Sequence, residues 1–230
     1  MTSVVQAGGA DTVIEELLDA RHSCRGFQDR AVPRDTITRL LTLAQRSPSW
    51  CNTQPWQVII TEGEATERLR AASLAFMSEN APCPDIAFPP AYTGVFDQRR
   101  KTCGWQLYES VGIQRGDRAA SAEQAMKNFA FFGAPHVAII TTERDQGTYG
   151  AVDCGVYLGC FLLAAQSLGL GTIPQAALAA VSPVIREQFA LPAERQVLYG
   201  VSFGYEDEEH PANGFRTERA GLDDVVTWAT

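Results

Sequence analysis

Residues 47–61 read SPSWCNTQPWQVIIT, a dense polar turn that leads into a strand. The last four residues are mostly β-branched, which predicts a buried strand. In the turn, the amides of Asn52 and Gln54 offer donors and acceptors suited to the edge of a planar heterocycle. Trp50 and Trp56 offer flat apolar walls. The alternative is an ordinary turn whose tryptophans belong to the core.

The sequence before this turn predicts two amphipathic helices. Thr12 and Glu15 fit a capping box at the start of the first helix. The second helix is predicted to begin near Pro33, a favoured first-turn residue, and to end before Ser47. Their apolar stripes comprise Ile14, Leu17 and Leu18 in the first helix, and Ile37, Leu40, Leu41 and Ala44 in the second.

The sequence after the turn alternates helical, extended and irregular segments. Helices are predicted over about 64–76, 98–111 and 119–130, and strands over 137–141 and 196–204. The stretch 79–96 contains four prolines and cannot be regular helix. Because it is long for a loop in a compact domain, the region 79–110 is predicted to be a lid or insertion.

The segment from Asp153 to Leu168 is apolar on every face, which predicts a buried helix and a candidate subunit interface. The apolar run at 222–228 predicts a terminal strand, for which the other subunit is a candidate partner. Helices dominate and do not alternate with strands in βαβ fashion, so the fold class is α+β. We expect one domain, 1–230, whose C-terminal arm, 206–230, crosses to the partner subunit.

Composition narrows the function classes. The net charge of -8 repels nucleic acid and anionic lipid, so neither is expected as a partner. The N-terminus lacks a signal-peptide pattern, and the longest apolar stretch, 155–165, is too short to span a bilayer, which favours a cytoplasmic protein. The six cysteines form no CxxC pair, and the three histidines are scattered, so we expect free thiols and no metal.

Two clusters carry arginines. Residues 21–25, RHSCR, combine two guanidinium groups, an imidazole and a hydroxyl, which suits a phosphate. The alternative is a basic helix end that complements the helix dipole. Arg216 and Arg219 lie near a turn and are candidates to complete the same site, or else form a solvated surface pair.

A glycine-containing segment follows the apolar helix. Gly169 and Gly171 come after a helix rather than a strand, and Pro174 stands where a dinucleotide fingerprint has its third glycine. This excludes a Rossmann site. Gly169 is predicted to end the helix, and the loop after it to present backbone N–H groups to a ligand.

Together, RHSCR, SPSWCNTQPW, LGLGTIPQAAL (168–178) and FRTERAGLDDVV (215–226) resemble the nitroreductase family in order and spacing. The resemblance covers residues 11–228 and looks nearest to bacterial nitroreductases acting on nitroaromatics such as nitrobenzoates. It implies a central, mainly antiparallel sheet flanked by helices, an intertwined homodimer, and FMN at the subunit interface. Many relatives carry small residues at the positions of Trp50 and Cys51, and a Gly-Gly-Glu type loop where this chain has Ile173-Pro174-Gln175.

The resemblance also implies roles for individual residues. Arg21, His22, Ser23 and Arg25 would hold the FMN phosphate, ribityl chain and pyrimidine edge, with Arg216 and Arg219 adding phosphate contacts. Pro48, Ser49, Trp50 and Asn52 would reach the flavin from the other subunit. Pro174, Gln175 and Ala176 would lie along the ring near N5, through backbone atoms.

The implied reaction passes electrons from NAD(P)H through the flavin to a nitroaromatic or quinone in a ping-pong sequence. The resemblance requires no catalytic side chain. Tyr92, Phe96 and Tyr108 are candidates to wall the substrate slot. Two alternatives stay open: another flavin reaction on the same scaffold, such as dehalogenation or enone reduction, and a non-catalytic flavin-binding protein.

Overall fold

The structure is a computed structural model that describes residues 9–229. Its helices are α1 (Ala10–Ala20), α2 (Arg34–Ala44), α3 (Glu64–Glu79), α4 (Gly94–Ser110), α5 (Arg118–Met126), α6 (Gly147–Ser167) and α7 (Ser182–Gln188). Its strands are β1 (Gln57–Thr61), β2 (His136–Glu143), β3 (Gly171–Gln175) and β4 (Arg195–Gly204). The predicted helices are therefore present, as are the strands predicted within 58–61, 137–141 and 196–204, and the fold is α+β as predicted.

The four strands form one antiparallel sheet in the order β1-β2-β4-β3. The central strand β2 is buried from His136 to Thr142 because helices cover both faces of the sheet. The strand β1 was predicted to be buried, and this is wrong: of its five residues only Thr61 is fully buried. The reason is its edge position, where it has a single neighbouring strand.

Two apolar clusters hold the helices against the sheet. On one face, α2 and α6 pack through Leu40, Tyr157 and Phe161. On the other, α3 and α7 pack through Leu69 and Ile185. These five side chains have 2 % exposure or less, so the sheet is the middle layer of the core.

The start of α1 differs from the prediction. Thr12 and Glu15 form no capping box, because the N-cap residue is Gly9, three residues before Thr12. The Thr12 N–H instead donates to the Asp11 carboxylate at 3.0 Å.

Two further segments adopt a different structure from the one predicted. Residues 171–175 form strand β3 rather than a ligand-presenting loop, because β4 offers them a complete antiparallel register. Gly169 does end α6, with a φ of 70°. The run at 222–228 is not a strand in the single chain. It contains a 3₁₀ turn, Leu222–Asp224, followed by irregular backbone.

The helix α6 is longer than predicted. By length and composition alone, Arg144–Ser167 is apolar enough to cross a membrane, contrary to the prediction from residues 155–165. Core helices of soluble proteins have the same composition, and the buried Cys154, Tyr157 and Phe161 pack α6 onto the sheet and α2. Its exposed residues include Tyr149, Val152 and Val156.

The proline-rich stretch is irregular from Asn80 to Thr93, but the prediction of no regular helix over 79–96 is wrong at its ends, because α3 includes Glu79 and α4 begins at Gly94 after the last proline. Its first part is fastened to the body: the Cys83 N–H donates to the Ala180 carbonyl at 2.8 Å, and the Asp85 carboxylate accepts from Arg186. Later residues of the stretch, such as Phe88, are exposed. A lid role for 79–110 stays a prediction.

Candidate functional site

A cleft of about 660 Å³ lies where three separate parts of the chain meet. They are the RHSCR segment, the free edge of β3 at Pro174, and the segment that carries Arg216 and Arg219. Cys103 of α4 completes the lining. The structure therefore brings both predicted arginine clusters to one place, although about 190 residues separate them in the chain.

Positive charge dominates the cleft. Arg21, Arg25, Arg216 and Arg219 all line it, and in the described part of the chain none of them forms an ion pair. The carboxylate among the lining residues is Asp19. Four guanidinium groups without a carboxylate partner, in a chain of net charge -8, indicate a site for an anion.

Burial and mutual repulsion both make the charged form of the cleft arginines less favourable. Burial lowers the pKa of Arg25, and burial together with the nearby charge of Arg219 lowers the pKa of Arg21. Both effects disfavour the charged guanidinium. A bound anion reverses them, because it supplies the opposite charge that the chain itself does not place there.

The RHSCR segment is held against the edge of β3. The Cys24 N–H donates to the Thr172 carbonyl at 2.9 Å, and Ser23 forms a parallel bridge with Thr172. Cys24 is completely buried, and burial raises the pKa of its thiol to about 12. The cysteine is therefore an anchor, and the residues on either side of it, Ser23 and Arg25, face the cleft.

His22 lines the cleft, but its ring is engaged within the chain. Nδ1 lies 3.0 Å from the Ala20 carbonyl, and Nε2 lies 2.8 Å from the Glu206 carboxylate. Both ring nitrogens thus have partners already. Contact with a ligand is left to the backbone or ring carbons of His22, whereas Glu206 is a fastening residue that the sequence did not single out.

The three residues expected along the ring point in different directions. Pro174 lines the cleft from an edge strand, where a residue without an N–H is tolerated. Gln175 is buried and turned inward, and its amide donates to the Asn128 carbonyl at 2.9 Å. Ala176 is exposed. A contact of Gln175 with a ligand would therefore have to use its backbone, and such a contact stays a prediction.

The turn at 48–54 lies outside this cleft in the single chain. Trp56 is core, stacked on Tyr157 at 5.0 Å, whereas Trp50 is 65 % exposed. Cys51, Asn52 and Gln54 have φ values of 51°, 56° and 48°. Left-handed backbone costs non-glycine residues about 1–2 kcal/mol each, and such strain is concentrated at functional sites.

Two contacts hold this strained turn. The Trp50 N–H donates to both oxygens of the buried Asp153 carboxylate, at 3.1 and 3.2 Å. The Ser49 hydroxyl accepts from the Gln54 N–H at 2.9 Å. Pro48, Trp50 and Asn52 are left exposed. The polar turn is therefore fixed in shape while these three residues stay exposed.

A second cavity, of about 670 Å³, adjoins the first and shares Cys103, Thr217 and Arg219 with it. It lies between α4 and residues 217–225. The predicted substrate-slot residues line neither cavity of the single chain: Tyr92 and Phe96 are exposed, and Tyr108 packs edge-on against Trp105.

Comparisons with known proteins agree with the fold and the cleft. The family model described as "Nitroreductase family" matches residues 18–205. The nitroreductase NfnB of Mycolicibacterium smegmatis is 32% identical over 216 residues, 94% of this chain and 92% of that protein. A 4-nitrobenzoate reductase of a Nocardioides species is 32% identical over 219 residues, 93% of this chain and 89% of that protein.

A solved structure is equally similar. The FMN-dependent nitroreductase NfnB from Mycobacterium smegmatis, crystallised in complex with NADPH, superposes with a TM-score of 0.91 at 31% identity. The match covers 96% of this chain and 99% of that one.

Proposed function

Because the chain belongs to the nitroreductase family, we propose that it is an FMN-dependent oxidoreductase that passes electrons from NAD(P)H to nitroaromatic or quinone acceptors. The similar proteins are named as nitroreductases, one of them FMN-dependent and complexed with NADPH. The observation in this chain that carries the proposal is the cleft with four guanidinium groups that form no ion pair with any residue from 9 to 229.

The residues of the cleft fit FMN. Its phosphate is a compact anion that matches the forks of Arg21, Arg216 and Arg219, with the Ser23 hydroxyl as a further donor. The cleft volume of about 660 Å³ is in the range of cofactor pockets. When bound, FMN supplies electron transfer at its ring, chemistry that no side chain provides.

The chain would bind, orient and tune that ring. Arg25 is half-buried and lies between the rings of Phe132 and Phe215, each with its centroid 6.0 Å from the guanidinium carbon. Such a fixed, desolvated cation stabilises negative charge on a bound ring more strongly than a solvated one. Pro174 presents a wall without an N–H donor along the same cleft.

The site would be completed by a second copy of the chain. Exposed apolar side chains occupy α1, α6 and the C-terminal arm: Val13, Ile14, Leu18, Tyr149, Val152, Val156, Leu222, Val225 and Trp228. Extended apolar surface on a soluble protein marks an interface. A homodimer would cover it and let the partner supply the turn with Pro48, Ser49, Trp50 and Asn52.

The donor and the acceptor would use the same opening in turn, which is the basis for a ping-pong sequence. A cytoplasmic location without a membrane or nucleic-acid partner is part of the proposal, and two features support it: α6 packs into the core through Cys154, Tyr157 and Phe161, and the net charge of -8 repels nucleic acid and anionic lipid. The region 79–110 would border the opening and the arm 206–230 would cross to the partner.

The first experiment is an anaerobic absorbance titration of the purified protein with NADH and NADPH. We expect a flavin spectrum that is bleached by a nicotinamide and restored by a nitroaromatic. A bound flavin that neither nucleotide bleaches would instead favour non-catalytic binding or another flavin reaction. A protein that stays colourless with added FMN would overturn the proposal.

Matched variants locate the site. Arg21→Gln should raise the Kd for FMN by about tenfold or more, because a charged hydrogen bond to phosphate is lost. Arg68→Gln is the control, since Arg68 is an exposed arginine that pairs with Glu64 on α3. An equal effect of both substitutions would argue against a phosphate site in the cleft.

A further inference from the structure

We propose that Asn213 is a positioning residue for the cofactor phosphate: its side chain fastens the RHSCR segment to the segment bearing Arg216 and Arg219. The inference rests on the proposed FMN site and adds a residue that does not itself line the cleft. The two segments lie far apart in sequence, so a link between them is needed to hold their arginines close together.

Every polar group of the Asn213 side chain has a partner. The side chain is 4 % exposed. Its Oδ1 accepts from the Arg25 N–H at 2.6 Å, and its Nδ2 donates to the carbonyls of Gly26 and Asp207, each at 2.9 Å. A buried amide with both donor hydrogens and its acceptor satisfied is held in one orientation.

The backbone of Asn213 makes the second half of the link. Its carbonyl accepts from Nη1 of Arg216 at 2.8 Å. One residue therefore sets the backbone of Arg25 and the guanidinium of Arg216 relative to each other. In the described chain, the hydrogen bonds between residues 21–28 and 211–219 all run through this side chain.

Other contacts fasten the RHSCR segment elsewhere and do not replace this link. Asp207 donates its N–H to the Gly26 carbonyl at 3.0 Å, and His22 contacts Glu206. These bonds tie the segment to the end of β4. Among the hydrogen bonds of the described residues, those of Asn213 alone relate Arg25 to Arg216, and the Phe215 ring, 6.0 Å from the Arg25 guanidinium carbon, adds an aromatic contact between the two segments. Planar, bidentate recognition of a phosphate depends on the relative position of the two arginines.

The amide is required for chemical reasons. Aspartate has the same shape and could still accept from the Arg25 N–H. It would lose both donor hydrogens, however, and would direct an anionic oxygen at two carbonyl oxygens. Alanine would leave the Arg25 N–H without its buried partner, whereas the Gly26 carbonyl would keep the Asp207 N–H and the Cys24 thiol as donors.

The test compares FMN with riboflavin, which has the same ring and ribityl chain but no phosphate. Fluorescence titrations of apoprotein give both dissociation constants for the wild type, Asn213→Asp, Asn213→Ala and Asn213→Ser. We expect the Asn213 variants to weaken FMN binding by about tenfold or more. Riboflavin binding should change by less than about twofold, so the preference for the phosphate falls.

A control separates positioning from general destabilisation. Thr66 is a buried polar residue on α3 whose hydroxyl bonds to Thr61 and the Pro135 carbonyl. Thr66→Val should lower the Tm yet keep the preference for FMN over riboflavin. The serine variant at 213 keeps a small polar group and remains informative if aspartate prevents folding.

Two results would overturn the inference. In the first, any folded Asn213 variant keeps the wild-type preference for FMN. In the second, FMN and riboflavin are weakened equally. A wild type without preference for FMN would instead show that the proposed phosphate site is wrong, and the inference would fall with it.

Discussion

The substitution Gly171→Ala tests whether the edge of β3 sets the position of the RHSCR segment. A Cβ built on Gly171 would lie 3.0 Å from Cys24 Sγ, 3.1 Å from Cys24 Cβ and 3.3 Å from Glu206 Cβ. Ordinary carbon contacts are about 3.5–4.0 Å, so Cys24 would have to retreat by about half an ångström.

The segment should move rather than the strand. All five residues of β3 are registered against β4, whereas Cys24 is joined to β3 by one hydrogen bond, to Thr172. Overpacking of this kind costs about 1–3 kcal/mol. In the apoprotein the segment can relax outward, and FMN must bring it back. The cost therefore appears mainly in binding, as an increase in the FMN Kd of about fivefold to a hundredfold.

The assay is a fluorescence titration of apoprotein with FMN, together with thermal unfolding of the same apoprotein. Gly104→Ala is the control, because it adds the same methyl group on α4 with nothing within 4 Å. The reasoning is refuted if Gly171→Ala binds FMN as the wild type does while its apoprotein is clearly destabilised. That result would mean that β3 had moved instead of the RHSCR segment.

Three further outcomes are expected. Burial holds the pKa of His136 below its ordinary 6.5, so as the pH falls below that value the unfolded chain binds a proton that the folded chain does not. The free energy of unfolding should then fall by up to about 1.4 kcal/mol per pH unit until the pH passes the pKa of the folded state. In denaturant titrations at several pH values, the His136→Gln variant should lack this pH dependence. Asp153→Ala removes the acceptor of the Trp50 N–H and should release the strained turn at a cost of about 1.5–3 kcal/mol, with Asp153→Asn less affected; an unchanged near-UV circular dichroism spectrum in the alanine variant would contradict this. Phe96→Ala and Tyr108→Ala should change the ratio of kcat/KM for nitroaromatic and quinone acceptors, and an unchanged ratio would count against their predicted place in the slot.

The elements that could be predicted are those whose own pattern decides their structure. The spacing of Ile37, Leu40 and Ala44 marks α2, and these three residues are its buried face. The strands β2 and β4 can likewise be predicted, because central strands that are covered on both faces have largely apolar sequences. Gly169 marks the end of α6 for a local reason, its left-handed backbone.

The elements that could not be predicted depend on distant partners. Residues 171–175 contain a glycine and a proline and have no strand pattern of their own; they are extended because β4 pairs with them. No sequence pattern predicts a role for Asn213, apart from its position beside an arginine cluster. Its importance arises from the Gly26 and Arg25 backbone groups, which are 187 and 188 residues away in the chain.

The edge of β3 explains why the cleft lies where it does. An unpaired strand edge invites unwanted pairing and must be covered or interrupted. Here Ser23 and Cys24 cover the edge at Thr172, and Pro174 interrupts it because it has no N–H to donate. The segment that covers the edge carries Arg25, and the cleft opens beside the proline. Protection of the sheet edge and formation of the anion site therefore follow from the same few residues, so a change that detaches the RHSCR segment should both weaken FMN binding and promote aggregation.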